Sequence, residues 1–126
     1  MDVENLRWWG WGTLDETYLL ERRPNFWPML EERLALSDSA VEQETPPVAL
    51  EDMSLPPGRL DDPVLSSLRR LLGDESVRVD SRSRIEHAYG KSYRDLVRIR
   101  AGYIPHPPDA VVYPTGEADV VALLAW

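Results

Sequence analysis

The chain has 126 residues, enough for one ordinary domain, and 43% apolar with 29% charged residues excludes wholesale disorder. Its net charge of −8 argues against a general nucleic-acid binder, because phosphate affinity comes from surplus Lys and Arg, although a small anion needs only a local basic pocket. The absence of cysteine excludes a disulfide framework, a thiolate zinc site and a cysteine nucleophile. No apolar run approaches the roughly 20 residues needed to cross a bilayer, and the acidic start Met1-Asp-Val-Glu lacks a signal-peptide core. A soluble cytoplasmic protein with no transmembrane segment is the expectation.

The first distinctive stretch is Arg7-Trp-Trp-Gly-Trp-Gly12. In a structural reading the indoles pin an extended N-terminal arm, and the glycines let its backbone lie close to a larger body. In a functional reading they form an aromatic surface for a ligand or sugar. The structural reading is preferred, because termini stay loose unless something ties them down. Asn25 to Leu36 then reads as a short packing helix. Asn25 is its candidate N-cap, Pro28 is tolerated in the first turn, and Phe26 or Trp27 with Leu30 and Leu34 line one face.

Residues 37–62 form an acidic, proline-rich strap. Glu42, Glu44, Glu51, Asp52, Asp61 and Asp62 face Arg59 alone among bases, and Pro46-Pro47 and Pro56-Pro57 forbid regular helix. Val48, Leu50, Met53 and Leu55 suit an ordered strap laid on a surface better than a free linker. No histidine accompanies the carboxylates, so a solvated loop is preferred over a metal site.

Asp61 to Gly73 carries the clearest helix signal, with an Asp cap, Pro63 at the start, Gly73 past the end and a stripe of Leu65, Leu68, Leu71 and Leu72. Ser76 to Asp80 alternates like a short strand. A basic block follows from Arg82 to Gly102. Within it, Ser92 is placed to cap a helix from Tyr93 to about Arg100, closed by Gly102. Leu96 and either Tyr93 or Ile99 form one face, and Arg94 and Arg98 another. Arg84, His87, Lys91 and Arg94 could surround a phosphate or carboxylate. The preferred alternative pairs these bases with the acidic strap or with carboxylates elsewhere.

Finally, Ala110 to Tyr113 is an apolar, β-branched strand closed by Pro114, which has no N–H for a ladder. Thr115 is the candidate cap of a last helix whose first turn holds Glu117 and Asp119, with Val120, Val121, Leu123 and Leu124 as its stripe. A strand followed at once by a helix opens a βαβ unit, which calls for a second, parallel strand. No nucleophile elbow, P-loop, GxGxxG, HExxH or CxxC occurs, so motifs identify neither a catalytic residue nor a metal ligand.

Three stretches carry a resemblance. Arg7-Trp-Trp-Gly-Trp-Gly12 resembles the tryptophan-glycine motif of the alkylglycerone-phosphate synthase family, also called alkyl-dihydroxyacetonephosphate synthases. His87-Ala-Tyr-Gly-Lys-Ser-Tyr-Arg-Asp-Leu96 resembles the segment preceding the flavin domain of its bacterial relatives. Pro108 to Val120 resembles the first strand and helix of the vanillyl-alcohol-oxidase (PCMH) type of FAD-binding domain. The resemblance implies an α+β fold. Residues 1–107 would be a mostly helical and extended N-terminal region, and residues 108–126 the start of the flavin domain. It further implies the N-terminal part of an FAD-dependent enzyme, active in ether-lipid synthesis or in 2-hydroxy-acid or phenol oxidation. The glycine-rich pyrophosphate loop and the catalytic tyrosine and histidines would lie beyond Trp126, so this segment alone is expected to be inactive and to hold FAD weakly. Only Pro114 is carried over as bordering the cofactor. The implied partners are the remainder of the flavin-binding and cap domains, with a homodimer as a further option and no nucleic acid. The rival reading is a small non-enzymatic interaction module derived from the same family.

Overall fold

The computed structural model describes residues 5–16, 22–36 and 46–126. The acidic N-terminal start, residues 1–4, and the first half of the strap, residues 37–45 with Glu42 and Glu44, lie outside the described residues. The chain divides into two compact units, residues 1–47 and 48–126.

In the first unit the tryptophan-glycine stretch is a closed loop and not an extended arm. Leu6 and Thr13 form an antiparallel bridge, the Arg7 amide donates to Gly12 O at 3.1 Å, and the Leu14 amide donates to Asn5 O at 2.8 Å. Gly12 sits at φ +80, a conformation open to glycine at little cost. Asn5 Nδ2 donates to Asp15 Oδ1 at 2.8 Å, and the Arg7 guanidinium donates to Glu16 O. Trp8 is buried and meets the Trp9 ring edge-to-face at 5.5 Å. Local hydrogen bonds therefore shape this stretch, where the sequence suggested long-range docking.

Helix α1 (Phe26–Leu34) starts after Asn25, which makes no side-chain cap bond, and ends at Ala35 in the left-handed region at φ 50. None of its residues is buried. Phe26 and Trp27 meet edge-to-face at 5.2 Å.

The second unit is a mixed α+β arrangement. After a 3-10 turn (Leu50–Asp52) come α2 (Asp62–Leu72), β1 (Val77–Arg78), α3 (Ser81–Glu86), α4 (Tyr93–Arg100), β2 (Val111–Val112) and α5 (Glu117–Ala125). Each boundary has a local cause. Asp61 accepts the Val64 amide at 3.0 Å at the start of α2, and Gly73, at φ +88, ends it. Asp80 accepts the Ser83 amide and hydroxyl, both at 2.9 Å, and starts α3, a helix that the sequence reading left unassigned. Ser92 and Asp95 form a reciprocal capping box on α4. Gly102, at φ +71, closes that helix while the Tyr103 amide reaches back to Arg98 O at 2.9 Å.

The sheet has two strands, with Val77 opposite Val112 and Arg78 opposite Val111 in antiparallel register. The neighbour of β2 in this sheet thus precedes it in the chain and runs the other way. The core comprises Leu68, Val77, Ile85, Leu96, Ile99, Ile104 and Val111. Ile85 and Ile99 are fully buried, a contribution of about 1.5–3 kcal/mol each. Ile99, not Tyr93, therefore accompanies Leu96 on the inner face of α4. Of the expected α2 stripe, Leu68 is buried and Leu71 is exposed.

The described part of the strap is ordered. The Val48 amide donates to Arg100 O at 3.1 Å. Val48 and Met53 also crowd Gly102, where an added Cβ would meet both side chains at 3.6 Å. Among the described residues no helix is long and apolar enough to cross a membrane.

Candidate functional site

The region with the most convergent features surrounds β2 and its exit into α5. Arg84, on α3, is 8% exposed and is the buried charged residue of this unit among the described residues. Its Nε donates to Pro108 O at 2.7 Å and its Nη2 to Pro56 O at 3.0 Å. One guanidinium thus grips the backbone leading into β2 and the backbone of the strap. Beside it, Arg59 donates its amide to Asp109 Oδ1 at 3.0 Å and its Nη2 to Asp109 Oδ2 at 3.3 Å. The Arg59 backbone amide bond, above all, holds the Asp109 carboxyl below its usual range, with the Arg59 and Arg84 charges acting in the same direction.

At the far end of β2 the Tyr113 amide donates to Ser76 O at 2.9 Å, which extends the antiparallel pairing. The Tyr113 ring meets His87 at 5.6 Å, nearly perpendicular. His87 Nδ1 lies 2.9 Å from Ser83 O, so that nitrogen carries the proton. Pro114 follows, exposed. The Thr115 amide and hydroxyl then donate to Asp119 Oδ2 at 2.8 and 2.7 Å. These two bonds, the hydroxyl first, depress the Asp119 carboxyl. Thr115 is therefore not the N-cap of α5. Gly116 holds that position without a side-chain cap, and Thr115 is instead tied forward onto the helix.

Two of the four residues read as a potential anion site are already engaged by backbone carbonyls. The Nε and Nη2 of Arg84 are taken by carbonyls, His87 is bound to its own helix, Lys91 sits in the left-handed region at φ 58, and Arg94 points outward on α4. The preferred alternative is met in part by carboxylates elsewhere in the fold: Arg82 bonds Glu86 at 3.0 Å within α3, and Arg98 lies 3.8 Å from Asp95 within α4. His106 is exposed. An open hollow of about 440 Å³ lies at the end of α2, lined by Ser66, Arg69, Arg70, Gly73 and Asp74. Among the described residues no three His, Asp or Glu side chains gather as metal ligands.

No family model matches the chain. It is 32% identical to alkyldihydroxyacetonephosphate synthase of Trypanosoma brucei brucei over 96% of its own length and 22% of that protein's. It is also 31% identical to protein Rv2250A of Mycobacterium tuberculosis, over 88% of its own length and 70% of that protein's. The chain belongs to the alkyldihydroxyacetonephosphate synthase-like family. Two crystal forms of a synthase of that name superpose on it with TM-scores of 0.78 and 0.76, at 24% and 23% identity. They cover 96% and 95% of this chain but only 25% and 26% of the synthase, and they bear out the α+β fold. The chain thus spans about a fifth of the curated synthase and a quarter of the solved ones.

The N-terminus of α5 does not suit a flavin's pyrophosphate. The α5 N-terminus, where helix geometry could receive a phosphate, carries Glu117 and Asp119 in its first turn, and Asp119 already takes the Thr115 amide. Two carboxylates there repel an anion.

Sequence reasoning missed the grip of Arg84. Its partners are carbonyls 24 and 28 residues away, and a backbone oxygen leaves no trace in residue type. The α3 helix was findable, because Asp80 three residues before Ser83 is a cap signal.

Proposed function

We propose that this chain is the N-terminal segment of an FAD-dependent enzyme of the synthase-like family, with residues 108–126 forming the opening strand and helix of its flavin-binding domain. The observation that carries the reading is the outer face of α5. Val121 and Leu124 are exposed, Leu124 at 84%, directly after a strand whose sheet has two strands among the described residues. An apolar helix face beside so small a sheet is what a larger domain covers. The remainder of the flavin and cap domains is the partner that would cover it. Pro114 borders the flavin site as the end of β2, contributing shape and no hydrogen bond. By itself the segment binds FAD weakly and turns over no substrate. The two carboxylates in the first turn of α5 disfavour a pyrophosphate at that helix end.

The test is a chimera in which this chain replaces the matching fifth of the Trypanosoma brucei brucei synthase. The chimera should purify yellow with one flavin per chain, while the 126-residue chain purifies colourless. A colourless chimera beside a yellow parent would defeat the reading, and stoichiometric flavin on the short chain would defeat the claim of weak binding.

A second reading, a non-enzymatic interaction module, is favoured by one observation: this segment accounts for 70% of the mycobacterial relative. A monodisperse, cooperatively melting chain that fails in the chimera would support it.

A further inference from the structure

We infer that residues 48–60 of the strap and residues 108–113, the lead-in taken together with β2 itself, open and close as one unit, with Arg84 as the clasp between them. The inference stands independently of any flavin. Arg84 holds both segments from a single buried guanidinium, and no buried side-chain polar atom among the described residues lacks a partner. Freeing one segment alone would leave a cation half-bonded in a space with little water, which costs more than an ordinary lost hydrogen bond. A second link lies beside the first. Arg59, three residues after Pro56, holds Asp109, the neighbour of Pro108. The backbones also run close together, since a Cβ on Gly58 would lie 3.6 Å from Asp109 O. Two links joining the same two short stretches make separate opening unfavourable. Arg84 is thus a positioning residue. It holds the point from which β2 departs, and through β2 the direction of Pro114 and α5.

Hydrogen exchange on the full chain tests this, with peptides from both segments and from α2 as the internal reference. Asp109→Ala removes the outer link and leaves Arg84 in place. It should speed exchange in the strap (Asp52, Met53) and in the lead-in (Tyr113) by the same factor, about three- to tenfold, with α2 unchanged. Arg84→Gln should raise both by more than about tenfold. Acceleration confined to one segment, in either variant, overturns the clasp, as does an equal rise in α2 in Asp109→Ala. If Arg84→Gln does not fold, Asp109→Ala decides alone.

Discussion

Trp126 donates its indole Nε1–H to Ser67 Oγ at 2.9 Å, across 59 residues of chain. The bond fastens the end of α5 to the middle of α2 and gives the terminal helix an anchor within this unit. Trp126→Phe deletes the bond and keeps a smaller aromatic ring at this half-exposed position, so it should cost about 0.5–1 kcal/mol, the low end for a hydrogen bond because the site is half open to water. Urea unfolding should show that loss with an unchanged slope. Ser67→Ala should match it, and the double variant should cost no more than either alone.

The two glycines flanking α2 and α5 should respond oppositely to alanine. Gly73 has φ +88 and ψ 150, a region essentially closed to other residues, so Gly73→Ala should cost about 1–3 kcal/mol although an added Cβ would meet nothing within 4 Å. Gly116 is fully extended at φ −168, also with open space around its Cβ. Gly116→Ala should lie within about 0.5 kcal/mol of the parent. Equal losses at the two sites would refute a backbone origin.

Acid should loosen the molecule through carboxylates that the fold holds ionised. Asp80, Asp109 and Asp119 all lie below their ordinary value. For Asp80, burial pushes upward, and the Ser83 amide and hydroxyl bonds outweigh it. A carboxylate whose folded pKa is depressed stabilises the fold above its unfolded pKa and loses that contribution as pH falls through the folded value. Stability should therefore be level from neutral pH to about pH 5 and fall below about pH 4. Asp119→Asn should flatten that fall. Denaturant midpoints at pH 7, 4 and 3 measure both.

The outer face of α5 should tolerate charge in the isolated chain. Leu124 is 84% exposed, so Leu124→Glu should shift stability by less than about 0.5 kcal/mol while lowering binding of a hydrophobic dye. In the flavin chimera the same change should instead cost about 2 kcal/mol or more, because it places a charge against an apolar partner. Equal tolerance in both settings would argue against the covered face.

Residue order alone settled what depends on neighbours three or four positions apart. The caps at Asp61 and Ser92, the stops at Gly73 and Gly102 and the buried Leu96 follow from local hydrogen bonds and helical period, which are written in residue types. The tryptophan-glycine motif and the Pro108–Val120 stretch likewise pointed to the right family. Tertiary structure decided the remainder. Val112 pairs antiparallel with Val77, and Arg84 reaches two proline carbonyls. Those outcomes rest on which backbone groups the folded chain brings together. Every residue but proline offers the same amide, and every residue the same carbonyl, so sequence pattern carries no record of the choice.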